Sequence, residues 1–346
     1  MSVTFLIGNG FDLNCGLKTS YNDIYREYIK QPSASEIISR FKDDLWRDIE
    51  NWGDFETAMA GYMNHFSSED EFLECIRDFV SFTEKHLSEQ ETIIDLTDNR
   101  IENAARDEML RSFKCFYKGI THTLDRLING TYSLNAIVYN YTSVFDKLFL
   151  LCQNDFPYSQ NIVHIHGKLN DDMIMGMDNI DQIKLQKYTL SRRGRRAFIK
   201  SEFNEQYDPY RMNKAEKMIS ESNIICVYGM SLGDSDLRWR NLLLKKLEED
   251  KGFHLFLYQF DCSKLGMMRA EQRLCCEEDK KSLILKSWGI EDVEAEKYFE
   301  NIHIPCCKNI FNVGQVIAEE KLRIIAEERV RKEKAPRLVM PTNLNR

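Results

Sequence analysis

Four short segments of the chain gather residue types that could do chemistry at neutral pH. The first is Gly8-Asn9-Gly10-Phe11-Asp12, which follows a short apolar run. Two glycines let a backbone turn sharply and approach a ligand closely, and the amides of such a turn could cradle a pyrophosphate. The segment is shorter than the G-x-G-x-x-G dinucleotide fingerprint, so an ordinary tight turn is the competing reading. Asp12 would repel a phosphate, and its carboxylate suits ribose hydroxyls or nearby backbone donors instead. The second segment is Asn140-Tyr141-Thr142, whose Asn could satisfy turn backbone or reach a ligand. The third is His166-Gly167. An imidazole titrates near neutrality and so suits a general base; a buried structural histidine, or half a metal site shared with His164, fits the same residues. The fourth runs from Gly229 to Asp236, Gly-Met-Ser-Leu-Gly-Asp-Ser-Asp. It offers Ser231 to a phosphate or a ribose, and Asp234 as the N-cap of a following helix.

A sheet is what must position these segments. Runs at Val3–Ile7, Asn135–Tyr139, Asn161–Ile165, Asn223–Tyr228, Phe253–Phe260 and, weakly, Asn301–Ile304 read as strands. Helical patterns at Ser143–Cys152, Asn213–Ser220 and Ser235–Glu249 separate most of them. Parallel strands need crossovers of helix length, so the alternation predicts an α/β fold on a doubly wound, mainly parallel sheet. Ligands collect at the carboxyl ends of the strands in such a sheet, and each of the four segments follows a strand. From Thr19 to about Asn129 the chain reads as helical. Its clearest stretch, Glu102–Ile128, puts Met109, Phe113, Phe116, Ile120, Leu124 and Leu127 on one helix face. The expected organisation is a nucleotide-binding domain of residues 1–20 plus 131–335, a large helical insertion or cap at 21–130, and a frayed tail at 336–346.

Composition narrows the function classes. With 47 Lys and Arg against 55 Asp and Glu, the formal net charge of −8 argues against a surface broadly devoted to nucleic acid or anionic lipid. One local exception is Gln182–Lys200, which holds seven Lys or Arg and no acid, with Tyr188 and Phe198 interleaved. It could contact nucleic acid, although a basic lid over an anionic cofactor or a solvated loop is the preferred reading. The ten cysteines include no C-x-x-C pair, so reduced, packed thiols are expected and no metal. No apolar run reaches the roughly 20 residues of a membrane helix, and the opening "MSVTFLIGNG" lacks a basic signal region. A cytoplasmic protein without a membrane partner is expected.

Taken in order, Gly-x-Gly, a strand-end Asn, His-Gly and Gly-x-Ser-Leu resemble the sirtuin-like NAD-binding fold. More closely, "IGNGFDLNCGLKTSY", "YNYT", "HIHG" and "YGMSLGDSD" are similar to the AbiH family of bacterial abortive-infection proteins, a divergent sirtuin-like group. The resemblance implies that Asn140 and His166 are the reacting pair, with NAD as substrate. It also implies that Gly8, Asn9 and Gly10 approach the dinucleotide phosphates and that Gly229 with Ser231 holds the adenosine side; Phe11, Asp12, Tyr141 and Asp234 complete the expected binding set. Two departures stand out: the paired-cysteine zinc module of sirtuins is missing, and Tyr141-Thr142 replace the Ile-Asp that follows the sirtuin Asn. What the resemblance then implies is hydrolysis of NAD to nicotinamide and ADP-ribose as an anti-phage effector. A toxic activity needs an off state, which the helical insertion, a homo-oligomer or a phage-derived trigger would control. A non-catalytic sensor of NAD or ADP-ribose, and a nucleic-acid-binding defence protein using residues 182–200, are the alternatives.

Overall fold

The computed structural model describes residues 2–116, 133–155, 161–233, 236–258, 269–305 and 310–334. Six strands form one sheet: β1 (Ser2–Ile7), β2 (Ser133–Val138), β3 (Asn161–His164), β4 (Ile224–Tyr228), β5 (His254–Leu257) and β6 (Ile302–His303). Every pairing is parallel and the spatial order is β3-β2-β1-β4-β5-β6. This is the order of a doubly wound, Rossmann-like sheet, whose direction of winding reverses between β1 and β4. The register brings Ile7, Val138 and Tyr228 level, with His164 level with Val138. The four chemistry-bearing segments therefore begin within two residues of one edge of the sheet.

Alternate residues serve opposite faces, and both faces are covered. Val3, Phe5 and Ile7, with Leu134, Ala136 and Val138, pack against helices α6 (Asn99–Phe116), α7 (Val144–Leu151) and α14 (Val313–Lys334). Leu6, Ile137, Ile225 and Val227 pack on the other face against α10 (Pro209–Glu221) and α11 (Leu237–Glu249). The partner that the apolar stripe of α6 demands is thus the sheet itself, through Ile101, Met109 and Phe113. That helix begins at Asn99, before the expected Glu102, and Ile120, Leu124 and Leu127 of the predicted stripe lie outside the described residues. The third strand stops at His164, short of the expected Ile165, because the chain turns there and Gly167 takes a positive φ of 76°. The fifth is shorter than predicted, and its expected last residues, 259 and 260, are outside the described residues, as is the predicted tail at 336–346.

A second core lies in the helices α2 (Tyr21–Tyr28), α3 (Glu36–Arg47), α4 (Phe55–Tyr62) and α5 (Glu69–Glu91). Each starts on a side-chain cap: Ser20 accepts from Asp23 N–H, Ser35 from Ile38, Asp54 from Thr57 and Ser68 from Glu71. Their inward faces are dense in aromatics, such as the stacked pair Phe55–Phe79 with ring centres 4.3 Å apart. Met175, Met177, Phe198 and Ile199 join this core from the segment after β3. A parallel bridge between Met177 and Ile199 ties that segment together, with Lys200 N–H donating to the Met177 carbonyl at 2.9 Å.

Candidate functional site

At the switch between β1 and β4, two glycine loops meet backbone to backbone. Gly8 N–H donates to the Tyr228 carbonyl at 2.9 Å and Gly10 N–H to the Gly229 carbonyl at 2.8 Å. A Cβ on Gly10 would stand 2.5 Å from Gly229 Cα, and one on Gly229, whose φ is +74°, 2.7 Å from Phe11 N. Glycine is required here for contact between loops. The Gly8 and Gly10 amides are thus donated within the protein and are not the donors of a phosphate cradle. Asn9 is also engaged: its amide donates to the Thr19 carbonyl at 2.9 Å and accepts from the Thr19 hydroxyl at 2.6 Å.

Beside this contact lies a cavity of about 580 Å³, bounded by the sheet edge and the helical lobe. Into it the sheet contributes Asp12, Tyr139, Asn140 and His166. Five buried polar atoms of these residues have no hydrogen-bond partner in the protein: Asp12 Oδ1, Tyr139 OH, Asn140 Nδ2 and Oδ1, and His166 Nε2. Leaving such atoms unpaired costs roughly 1–3 kcal/mol each, so a cluster of them marks a place built to meet something else. Asp12 is 1% exposed, and burial pushes its carboxyl up to about 6 even though the Thr142 hydroxyl donates to Oδ2 at 2.6 Å. The Asn140 amide lies close enough to favour the Asp12 carboxylate, yet no aligned hydrogen bond joins them. Burial, reinforced by the Lys200 charge, holds His166 well below the ordinary histidine range. Its ring is therefore neutral at pH 7, with Nε2 free to take a proton.

The helical lobe and the segment after β3 supply the rest of the wall. Glu56, in the first turn of α4, accepts from the Tyr21 hydroxyl at 2.8 Å through Oε1, which also lies 3.8 Å from Lys200 Nζ. Burial pushes Glu56 up to about 7, the Lys200 charge acting in the opposite direction. Asp236 is likewise pushed up to about 6 by burial. The cavity thus combines acids near their titration points with a neutral imidazole and a single buried ammonium among the described lining residues. It can bind polyhydroxyl groups, stabilise developing positive charge and move protons near pH 7.

Residues 4–258 match the family model described as bacteriophage abortive infection AbiH. The chain belongs to the AbiH family. Every described residue that lines the cavity falls inside the matched span, and the role in phage abortive infection that the family carries extends to this chain. No curated protein matches the chain significantly. No helix among the described residues of this AbiH protein is long and apolar enough to cross a membrane.

Of the residues that the AbiH chain's sequence singles out, Gly8, Asn9, Gly10, Asp12, Asn140, Tyr141, His166, Gly229 and Ser231 come together around the cavity. Phe11 does not. It turns into the sheet core, edge-on to Phe145, Tyr228 and Phe311. Asp234 lies outside the described residues. His164 is used within the protein, with Nδ1 3.0 Å from the Asn140 carbonyl and Nε2 2.8 Å from Asp146 Oδ1. His164 thereby braces the Asn140 backbone. Residues 183–191 of the basic segment form neither helix nor strand, and a helix follows them. Arg192–Phe198 form helix α8, anchored where Ser191 donates to Glu69 and where Phe198 enters the lobe core. Its arginines do not line the cavity, whereas Lys200 does. Tyr21, Asp54, Glu56, Lys200 and Asp236 are lining residues that the sequence reading missed.

Proposed function

We propose that the cavity cleaves the N-glycosidic bond of NAD, and that this reaction is the chain's contribution to abortive infection. The observation that supports it best is the set of unpartnered atoms on Asp12, Tyr139, Asn140 and His166, gathered in one cavity at the sheet's switch point. As the bond between nicotinamide and ribose lengthens, positive charge develops on the sugar, and a wall of carboxyl groups stabilises it. The Asn140 amide offers a donor and an acceptor to ribose hydroxyls and the attacking water. Neutral His166 takes the proton that the water releases at Nε2. Nicotinamide is a cation while attached and departs neutral, so its loss requires no acid. The exposed Ser231 hydroxyl at the cavity's edge suits the phosphates, away from the acidic interior. The sirtuin-like order of the motifs supports the same reading.

The test is nicotinamide release from NAD by the purified protein, compared with Asn140→Ala and His166→Ala. Each variant is expected to lose about 100-fold or more in turnover; Asn140→Ala should melt near the wild-type temperature, since both amide atoms lack a partner, and His166→Ala somewhat lower, since the ring also bonds the Tyr139 backbone. NAD that binds tightly but stays intact, with binding unchanged in His166→Ala, points instead to a nucleotide sensor. The absence of both NAD binding and nicotinamide release overturns the proposal.

A further inference from the structure

One feature of the cavity is superfluous for NAD. A pyridinium base leaves an N-riboside without help, whereas a purine leaves as an anion unless it is protonated as the bond breaks. A buried acid that keeps its proton near neutrality serves the second kind of substrate. Glu56 is 6% exposed, lines the cavity, and reaches it from α4 rather than from the sheet that carries Asp12, Asn140 and His166. The Tyr21 and Lys200 contacts both fall on Oε1, so the carboxyl proton belongs on Oε2. Four side chains with unpartnered polar atoms line this cavity, Tyr139, a residue only 7% exposed, among them.

We infer that Glu56 is the general acid for a departing base, so that the site accepts N-ribosides with a neutral leaving base, adenosine and its monophosphate among them, in addition to NAD. The inference rests on reading the cavity as one that breaks N-ribosyl bonds. Water adds its oxygen to C1′ and gives a proton to His166 Nε2. The C1′–N bond breaks with its electron pair passing to the base, and Glu56 gives its proton to a ring nitrogen of that base. Exchange with solvent restores both side chains, so one water is consumed for each base released. Because burial pushes Glu56 up to about 7, its acid form persists at neutral pH. Acid and base are drawn from different lobes with their titration ranges pushed apart, the pattern expected of a paired acid and base.

The full-length protein is given adenosine, adenosine 5′-monophosphate and NAD, and the released adenine and nicotinamide are separated and quantified. Adenine release is expected from at least one of the three, declining as pH rises through about 7, the range where Glu56 ionises. Glu56→Gln is expected to lower adenine release about 100-fold, and the ratio of adenine to nicotinamide release at least 10-fold. Glu56→Asp, which keeps an acid, is expected to recover part of the loss. Nicotinamide release without any adenine release overturns the inference and leaves the NAD proposal standing. An equal fall in both bases on Glu56→Gln overturns it as well, reducing Glu56 to a positioning residue. No base from any substrate overturns both. If Glu56→Gln does not fold, the wild-type pH profile decides, since adenine release that is flat from pH 6 to about 8 removes the acid.

Discussion

At the junction of β1 and β4 the polar backbone is used up: Gly8 and Gly10 donate to the carbonyls of Tyr228 and Gly229, and the loops touch through three glycines. In the adjoining cavity wall the opposite holds, and Asp12, Tyr139, Asn140 and His166 keep polar atoms buried and unpaired. The contrast separates two jobs that sequence motifs run together. Gly-x-Gly and the glycine after β4 hold the sheet edge in shape, and the side chains beyond them are left free to act. Stability and activity should therefore respond in opposite ways to substitutions only a few residues apart.

The largest effect is expected where the loops touch. Gly229→Ala adds a Cβ 2.7 Å from Phe11 N at a positive φ and should cost on the order of 4 kcal/mol in strain and overlap. Urea unfolding measures it, and a wild-type midpoint would remove the structural role assigned to this glycine. Next is Asp12→Asn. An acid raised by burial supports the fold while protonated; the contribution is complete below its ordinary 3.8 and is lost as pH rises through about 6. The variant should match wild type near pH 4 and exceed it at pH 8 by about 3 kcal/mol, two pKa units being worth roughly that. Denaturant midpoints that show no such divergence with pH would contradict the burial assigned to Asp12. The smallest of the three is Asn140→Leu. Replacing two unpaired amide atoms by apolar ones should stabilise by about 1–2 kcal/mol while abolishing turnover. A destabilised variant would show that Asn140 has a structural partner after all.

The sheet and its functional edge were legible because β-branched and aromatic runs stop at glycine, asparagine or histidine within two residues of the observed strand ends. Local chemistry determined these positions, and local sequence reports it. Phe11 was misread for the same reason: beside a glycine turn and an acid it looks exposed to ligand, but helix geometry in Gly10–Asn14 turns its ring into the core. Glu56 and Lys200 left no signal. A carboxylate in the first turn of a capped helix is ordinary, and Lys200 closes a basic run whose arginines draw attention first. Only the packing of α4 against the chain that follows β3 brings their side chains face to face, and no spacing rule spans the separation from residue 56 to residue 200. Tyr21 and Asp236 were hidden in the same way, one at a helix start and the other in a loop read for its serine.

The completion of the lobe by Met177, Phe198 and Ile199 has a consequence for vectorial synthesis. Nascent chain emerges from the ribosome amino end first, and domains assemble as their parts become available. A product that halts before Phe198 has the aromatic cluster around Phe55 and Phe79 but lacks Phe198 and Ile199, which complete its covering, and the ammonium that faces Glu56. Premature termination therefore yields an unfinished vessel, and the cavity wall stays incomplete until more than half of the polypeptide has been made.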